Sequence, residues 1–159
     1  MNLLVSEILD QVDGLKTKQE KIDLLKRYEN PAIRLVLRIN FDPNLNMGLP
    51  EGEPPYKKEL DKPIGYHETN LIKELRRFYI WLDPKTQLPK VRKEKLFIEM
   101  LEGLHHTEAE VLCLAKDRKL QKKYKSVKAD IVRESYPGLL PPEPPKSEKS
   151  LNSVASGTD

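Results

Sequence analysis

The sequence predicts an all-α fold: a compact bundle of about six to seven helices with a long Pro/Gly-rich loop. Several stretches of the 159-residue chain carry apolar residues three or four positions apart, the period of an amphipathic helix, and no strand pattern competes with them. Capping residues and prolines stand where these stretches begin. Charged residues make up 33% of the chain and aromatic residues 6%, which suits a small helical protein with a modest core and a charged surface.

The first quarter of the chain contains three predicted helices. Apolar residues recur every four positions from Leu4 to Val12 and form the stripe of a first helix that ends at Gly14. The second begins at Thr17, because a threonine followed three residues later by a glutamate is the pattern of a capping box. The third begins at Asn30, since asparagine is a good cap and the proline after it is favoured in the first turn of a helix.

The segment 42–68 interrupts this periodicity with five prolines and three glycines. These residues break helices and central strands, so we expect a long loop. A loop of this length within a compact domain is usually functional or mobile.

Helical periodicity returns with an apolar stripe from Leu71 to Leu82, flanked by Tyr79 and Trp81. Aromatic side chains beside such a stripe can stack on nucleic-acid bases, but they more often belong to the core, and we expect the core for both.

The next helix begins near Pro89. Cations oppose the dipole at a helix N-terminus, so the basic residues in its first turns favour a bound anion. These residues are Lys90, Arg92, Lys93 and Lys95.

Two further helices complete the predicted bundle. Thr107 and Glu110 form a second capping-box pattern, at the start of a helix that leads into a basic run. Ser126 is the predicted cap of the last helix, which closes at a Pro-Gly pair. We therefore assign residues 1–140 to one domain and residues 141–159, rich in proline and serine, to a disordered tail.

The composition argues against several classes of function. A single cysteine, Cys113, excludes an internal disulfide framework and is typical of a reducing compartment, and no apolar run approaches the roughly 20 residues that cross a bilayer. His105 and His106 precede this cysteine but lack the paired spacing of a metal site. No catalytic constellation or phosphate-binding glycine loop is apparent. We expect a cytoplasmic, non-catalytic protein without metal or cofactor.

The strongest functional signal is a basic run between residues 116 and 128. It holds seven basic residues and one acid in a chain of formal net charge +3, so the remainder is slightly acidic. Such a run is usually a solvated face, but this contrast favours binding to nucleic-acid phosphates. The candidate contacts in the run are Lys116, Arg118, Lys119, Lys122, Lys123, Lys125, Ser126 and Lys128. The residues Arg76, Arg77, Arg92 and Lys93 extend this surface if their helix faces converge; pairing with nearby glutamates is the open alternative.

The two ends of the chain carry distinctive stretches. One is KTKQEKIDLLKRYENPAIRLVLRINFDPNLNMGLP, and the other is SVKADIVRESYPGLLPPEPP. Between them follow the helical stretches TNLIKELRRFYIWL, EKLFIEMLEGL and EAEVLCLAKDRKL. In these stretches and their order, roughly residues 5–142 resemble the N-terminal DNA-binding domain of ATP-dependent DNA ligases of the T-even bacteriophage type.

The resemblance implies an all-α module that grips duplex DNA through the minor groove on either side of a nick, mostly by phosphate contacts, while later domains do the chemistry. It places the basic stretch before the last helix among the DNA contacts. The family's Asp-Leu-x-x-Gly pattern appears here as residues 116–120, without the glycine. Lys128, Ala129 and Asp130 match the start of the ligases' Lys-x-Asp-Gly motif, but again without glycine, and too few residues follow for a nucleotidyltransferase core.

We therefore expect a stand-alone, phage-encoded protein that binds duplex DNA at nicks, ends or junctions, in the cytoplasm of the infected host and alongside phage replication, repair or packaging proteins. The alternative is a protein-interaction adaptor, in which the loop at 42–68 and the proline-rich tail dock a phage or host partner. One contiguous basic face would favour the first function. A basic run interrupted by acids, beside an exposed apolar groove, would favour the second.

Overall fold

The computed structural model describes residues 3–58, 60, 61, 63 and 69–141, and within these ranges it contains helices and no strand. The helices are α1 Val5–Asp13, α2 Lys18–Arg27, α3 Pro31–Phe41, α4 Leu71–Glu74, α5 Tyr79–Leu82, α6 Lys90–Gly103, α7 His106–Lys116, α8 Leu120–Lys123 and α9 Ala129–Ser135. This confirms the predicted all-α fold. The predicted disordered tail falls, apart from its first residue, outside the described part of the chain.

The predicted starts of α2 and α3 are confirmed. The hydroxyl of Thr17 accepts the N–H of Glu20, and the Glu20 carboxylate accepts the N–H of Thr17, each at 3.2 Å. The Asn30 side chain accepts the N–H of Ile33 at 2.9 Å. Each bond satisfies an amide that has no partner within the helix, which fixes where the helix begins.

The core is centred on α3 and α7, which pack against each other. Ile33 and Leu37 of α3, and Val111 and Leu112 of α7, are fully buried. Around this pair, α1 contacts α2 and α7, α4 contacts α3, α6 contacts α7, and α9 covers α2. Burying a large aliphatic side chain contributes about 1.5–3 kcal/mol, so each of these four residues adds substantially to stability.

Two predicted caps are wrong. The helix α7 begins two residues earlier than the pattern at Thr107 implies, with His105 as its cap, whose Nδ1 accepts the Thr107 N–H at 3.3 Å. Lys128, not Ser126, precedes α9. In both places a contact with a distant part of the chain competes with the local pattern: the Thr107 hydroxyl accepts a hydrogen bond from Ser6 at 2.9 Å.

The segment 71–82 is helical but not one continuous α-helix, because a 3-10 turn, Leu75–Arg77, joins α4 to α5. Trp81 lies in the core as predicted, with edge contacts to Phe78 at 5.6 Å and Phe97 at 5.8 Å between ring centroids. Tyr79 does not: its side chain is 59% exposed, since it lies on the opposite side of the helical turn from Trp81.

No helix within the described ranges combines the length and the apolar character that a membrane span requires.

Candidate nucleic-acid interface

The basic run extends from the end of α7 through α8 to the start of α9. Its apolar residues Leu120, Tyr124 and Val127 are each 1% exposed and anchor the segment in the core. Because these anchors recur every three or four positions, the residues between them point to solvent. The exposed lysines of the run are Lys122, Lys123, Lys125 and Lys128. We refer to these four residues as the lysine face.

Lys116 is committed to the fold. Its side chain is 3% exposed, and its ammonium donates to the carbonyl oxygens of Pro50 at 2.7 Å and Gly52 at 3.1 Å. It also pairs with Asp117 at 2.6 Å, whose carboxylate accepts the Gly52 N–H at 3.0 Å. The two neighbouring charges thus hold the proline-rich loop against the end of α7, and we remove Lys116 from the candidate DNA contacts.

Arg118 is also committed to the fold. Its guanidinium donates to the carbonyl oxygens of Ile39 at 3.1 Å and Asp42 at 2.7 Å, and to that of Leu45. Carbonyl groups at the end of a helix such as α3 lack partners within the helix, and the arginine supplies them. Its φ of 61° is the left-handed conformation that favours glycine. The arginine therefore adopts a glycine-like backbone to reach these carbonyl groups, and we remove it from the candidates.

Ser126 faces an acid, not an empty anion site. Its N–H and hydroxyl donate to Oδ1 of Asp13 at 2.9 and 2.7 Å. A phosphate at this place would lie next to the Asp13 carboxylate and be repelled by it. The serine joins α1 to the segment before α9, and the predicted phosphate contact is withdrawn.

Three other candidates lie in ion pairs at the surface. These are Lys119 with Glu51 at 2.8 Å, Lys123 with Glu110 at 2.5 Å, and Arg77 with Glu74 at 2.8 Å. The hydrogen bond to Glu51 raises the pKa of Lys119, so this lysine is firmly protonated. Exposed pairs of this kind contribute little to stability, and a phosphate can compete with the carboxylate for the cation.

The remaining candidates are exposed or half-buried cations. Arg76 and Arg92 are exposed, as are Lys122, Lys125 and Lys128, and none of these five pairs with an acid in the described part of the chain. Lys93 is half-buried, and its backbone carbonyl accepts the indole N–H of Trp81 at 3.0 Å. Of the twelve predicted contacts, the geometry thus keeps the lysine face, Arg76 and Arg92 as the most accessible.

A second basic region lies between residues 70 and 95, where eight basic residues stand against three acids. The helices α4 and α6 that carry most of it pack on α3 and α7, whereas α8 and α9 pack on α7 and α2. The two basic regions are therefore carried by different helices, of which α6 and α8 pack on the same helix, α7.

An apolar cleft of about 310 Å³ lies between the proline-rich loop and α6. Its walls include Leu49, Pro54, Phe97 and Ile98. Three glutamates, Glu51, Glu53 and Glu94, line the same cleft. The loop that forms one wall is the segment that Lys116 holds in place, so the cleft is a built feature of the fold.

Glu108 is a buried polar group without a sequence signal that singles it out. Its side chain is about 1% exposed, and its two oxygens accept the N–H of Val5 at 3.2 Å and that of Leu71 at 3.1 Å. It therefore joins the first turns of α1 and α4 to α7. Burial raises the pKa of this carboxyl above its ordinary value, although the two N–H bonds act in the opposite direction.

The histidines and the cysteine do not form a metal site with their described neighbours, where no group of three or more ligating side chains comes together. His105 is the cap of α7, and Cys113 is buried. Burial raises the pKa of the Cys113 thiol to about 12, so at neutral pH it is a protonated, unreactive part of the core.

The fold and these surfaces define the class: a small all-α protein with two basic regions and an apolar cleft. A protein-family model described as a family of unknown function, DUF6433, matches residues 8–122, which is more than half of the chain. The chain therefore belongs to the DUF6433 family. No curated protein matches it. The matched region runs from α1 into α8, so it includes the Lys116 and Arg118 contacts and ends at Lys122.

Proposed function

We propose that this protein binds duplex DNA through the lysine face, without base specificity and without catalysing a reaction. The observation that supports this most strongly is the way in which Leu120, Tyr124 and Val127 hold the segment in the core while its lysines face solvent. Cations on an anchored segment lose less freedom on binding than cations on a mobile tail. The resemblance to the ligase DNA-binding domain supports the same ligand and favours duplex that contains a nick.

The proposed interaction is electrostatic. Ammonium groups contact phosphates and release condensed counterions, so affinity falls as salt rises. Four phosphate contacts predict a slope of about −3 to −4 for log affinity against log salt concentration. Phosphate contacts position a protein on DNA and do not read its sequence, so discrimination between base sequences should be small.

Two acids of α9 near the lysine face are neutralised within the chain, whereas Asp13 accepts hydrogen bonds from Ser126 and has no pairing cation among the described residues. Lys18 of α2 pairs with Glu134 at 2.5 Å and Asp130 at 3.4 Å, both on α9. Without this lysine, two carboxylates on α9 would stand unpaired close to Lys128 in the sequence. Lys18 is therefore a positioning residue in the proposal: it lowers the repulsion between α9 and a phosphate.

The biological role that fits this binding is accessory. We infer that the protein holds nicked or broken duplex for phage replication, repair or packaging proteins, which supply the chemistry. This role rests on the ligase resemblance and on the proposed DNA binding together.

The test is a fluorescence-anisotropy titration with intact duplex, nicked duplex and single strand at two salt concentrations. The variant combines Lys122→Glu, Lys125→Glu and Lys128→Glu. A matched control reverses three exposed cations elsewhere, with Lys26→Glu, Arg27→Glu and Lys57→Glu. We expect the first variant to lose at least about tenfold in duplex affinity and the control to lose much less. Absence of salt-dependent binding in the micromolar range, or equal losses in both variants, contradicts the proposal.

A second candidate function, docking of a partner protein, is favoured by the apolar cleft beside α6. Its floor would take a large apolar side chain, and its glutamates would attract lysine or arginine on either side. Peptides with a central leucine or phenylalanine flanked by lysines should then bind, and the same peptides flanked by glutamates should not. Ile98→Arg should abolish this binding. If neither peptide class binds, the adaptor function is unsupported.

A further inference from the structure

The helical segment from Leu71 to Leu82 has one face in the core and one in solvent. Leu71, Phe78 and Trp81 are buried. Lys73, Arg76 and Tyr79 are exposed and stand three residues apart. Side chains at this spacing align along a 3-10 turn and remain neighbours along an α-helix. The exposed face therefore presents two cations and an aromatic ring in a row, about 5 Å apart along the axis.

Tyr79 is held on a fixed backbone. Its carbonyl oxygen accepts the Thr86 hydroxyl at 2.9 Å and the Asp83 N–H at 3.0 Å. These bonds tie the turn after α5 to the start of α5. The residue is 59% exposed, and its ring stacks on no other aromatic ring among the described residues. A large exposed ring on a fixed backbone is a ready contact surface, since little freedom is lost when a ligand covers it.

We propose that this surface binds single-stranded DNA, with an unpaired base stacked on the Tyr79 ring. We name it the tyrosine face and define it as Lys73, Arg76 and Tyr79. Its two cations contact phosphates next to the stacked base. Aromatic platforms flanked by cations bind single strands with little sequence preference, because every base has a π-face. In intact duplex these faces are covered by neighbouring base pairs, so the ring distinguishes an unpaired strand from a paired one.

The inference deepens the proposed function and, in its full form, rests on it. A duplex on the lysine face and an unpaired strand on the tyrosine face together describe DNA with a gap, flap or overhang. Each face also makes a separate claim, because intact duplex reports on the lysine face and a pure single strand reports on the tyrosine face.

The experiment measures binding of oligothymidylate and of intact duplex to the full chain by fluorescence anisotropy. Tyr79→Ala should weaken oligothymidylate binding by about tenfold, and Tyr79→Phe, which keeps the ring, should stay within about twofold of the unaltered protein. Neither substitution should change duplex affinity. In a single strand labelled with 2-aminopurine, the fluorescence of this base should be quenched on binding to the unaltered protein and to Tyr79→Phe. Tyr79→Ala should quench it much less.

Three results overturn the tyrosine face: equal oligothymidylate binding by Tyr79→Ala and the unaltered protein, equal losses in Tyr79→Phe and Tyr79→Ala, or binding of anionic lipid vesicles with no binding of oligothymidylate. The two proposals fail separately. If oligothymidylate binding is lost in the Lys122, Lys125 and Lys128 triple variant but not in Tyr79→Ala, the single strand binds to the lysine face. The proposed function then stands, and the tyrosine face is wrong. If oligothymidylate binding depends on Tyr79 and no duplex binding is found, the tyrosine face stands and the proposed function is wrong.

Discussion

The two halves of the basic run use the same residue types for different purposes. In the first half, Lys116 and Arg118 donate to backbone carbonyl groups of the loop and of the segment after α3. In the second half, Lys122, Lys125 and Lys128 face solvent without a pairing acid among the described residues. The difference lies in what is within reach: carbonyl groups without partners surround the first half, and the second half has only its apolar anchors on the inner side. A count of charges therefore overstates a DNA-binding surface when part of the run is needed inside the fold.

The largest expected effect concerns the first half. Arg118→Ala removes the donors to three carbonyl groups, so it should lower the free energy of unfolding by about 2–4 kcal/mol. Arg118→Gly loses the same donors but tolerates the backbone, and it should be less destabilising than Arg118→Ala by roughly 1 kcal/mol. Urea denaturation followed by circular dichroism measures both. Equal stability of Arg118→Ala and the unaltered protein would show that these bonds do not hold the fold.

Glu108 is the acidic counterpart of Lys116 and Arg118, because it is also an ionisable residue whose side chain bonds to backbone groups inside the fold. Its raised pKa means that the folded chain binds a proton more tightly than the unfolded chain. Stability should therefore be greatest below the ordinary pKa of a glutamate and should fall as pH rises through the raised value. Glu108→Gln should remove this fall and, since the amide replaces one acceptor with a donor, cost about 1–3 kcal/mol. Denaturation curves across pH 4 to 8 compare the two proteins; parallel pH profiles would exclude Glu108 as the titrating group.

Substitutions in the second half of the basic run should affect DNA binding and not stability. Single Lys122→Ala or Lys125→Ala substitutions should change the free energy of unfolding by no more than about 0.5 kcal/mol, because these side chains are exposed and have no hydrogen bond or ion pair with the described residues. Each should reduce the salt slope of duplex binding by about 0.9. Titrations at several salt concentrations measure the slope. A large loss of stability together with an unchanged slope would mean that this half, too, belongs to the fold.

The smallest expected effect concerns Lys18, which touches neither half. Lys18→Ala frees the carboxylates of Asp130 and Glu134, and duplex binding should weaken by about twofold to threefold at low salt. The loss should disappear at high salt, where repulsion is screened. A double variant with Asp130→Asn and Glu134→Gln supplies the control, since Lys18→Ala should have no effect in it.

The sequence was sufficient for the fold class because helix periods and caps such as Thr17 and Asn30 act over three or four residues. It was insufficient where contacts join distant parts of the chain. The Glu108 carboxylate accepts the N–H of Val5, which lies 103 positions away in the sequence. No local sequence pattern predicts such a contact. The same reason explains the wrong cap prediction at Ser126, which bonds to Asp13 of α1. Tyr79 differs, since its exposure follows from its place on the helical turn opposite Trp81.

Acetylation of lysines in the free protein and in its complex with nicked duplex, followed by mass spectrometry, tests the division of the basic run most directly. We predict that Lys116 reacts slowly in both states and that Lys26 reacts fast in both. Lys122, Lys125 and Lys128 should react fast in the free protein and become protected by DNA. Fast reaction of Lys116, or equal reactivity of the three exposed lysines with and without DNA, would contradict the account.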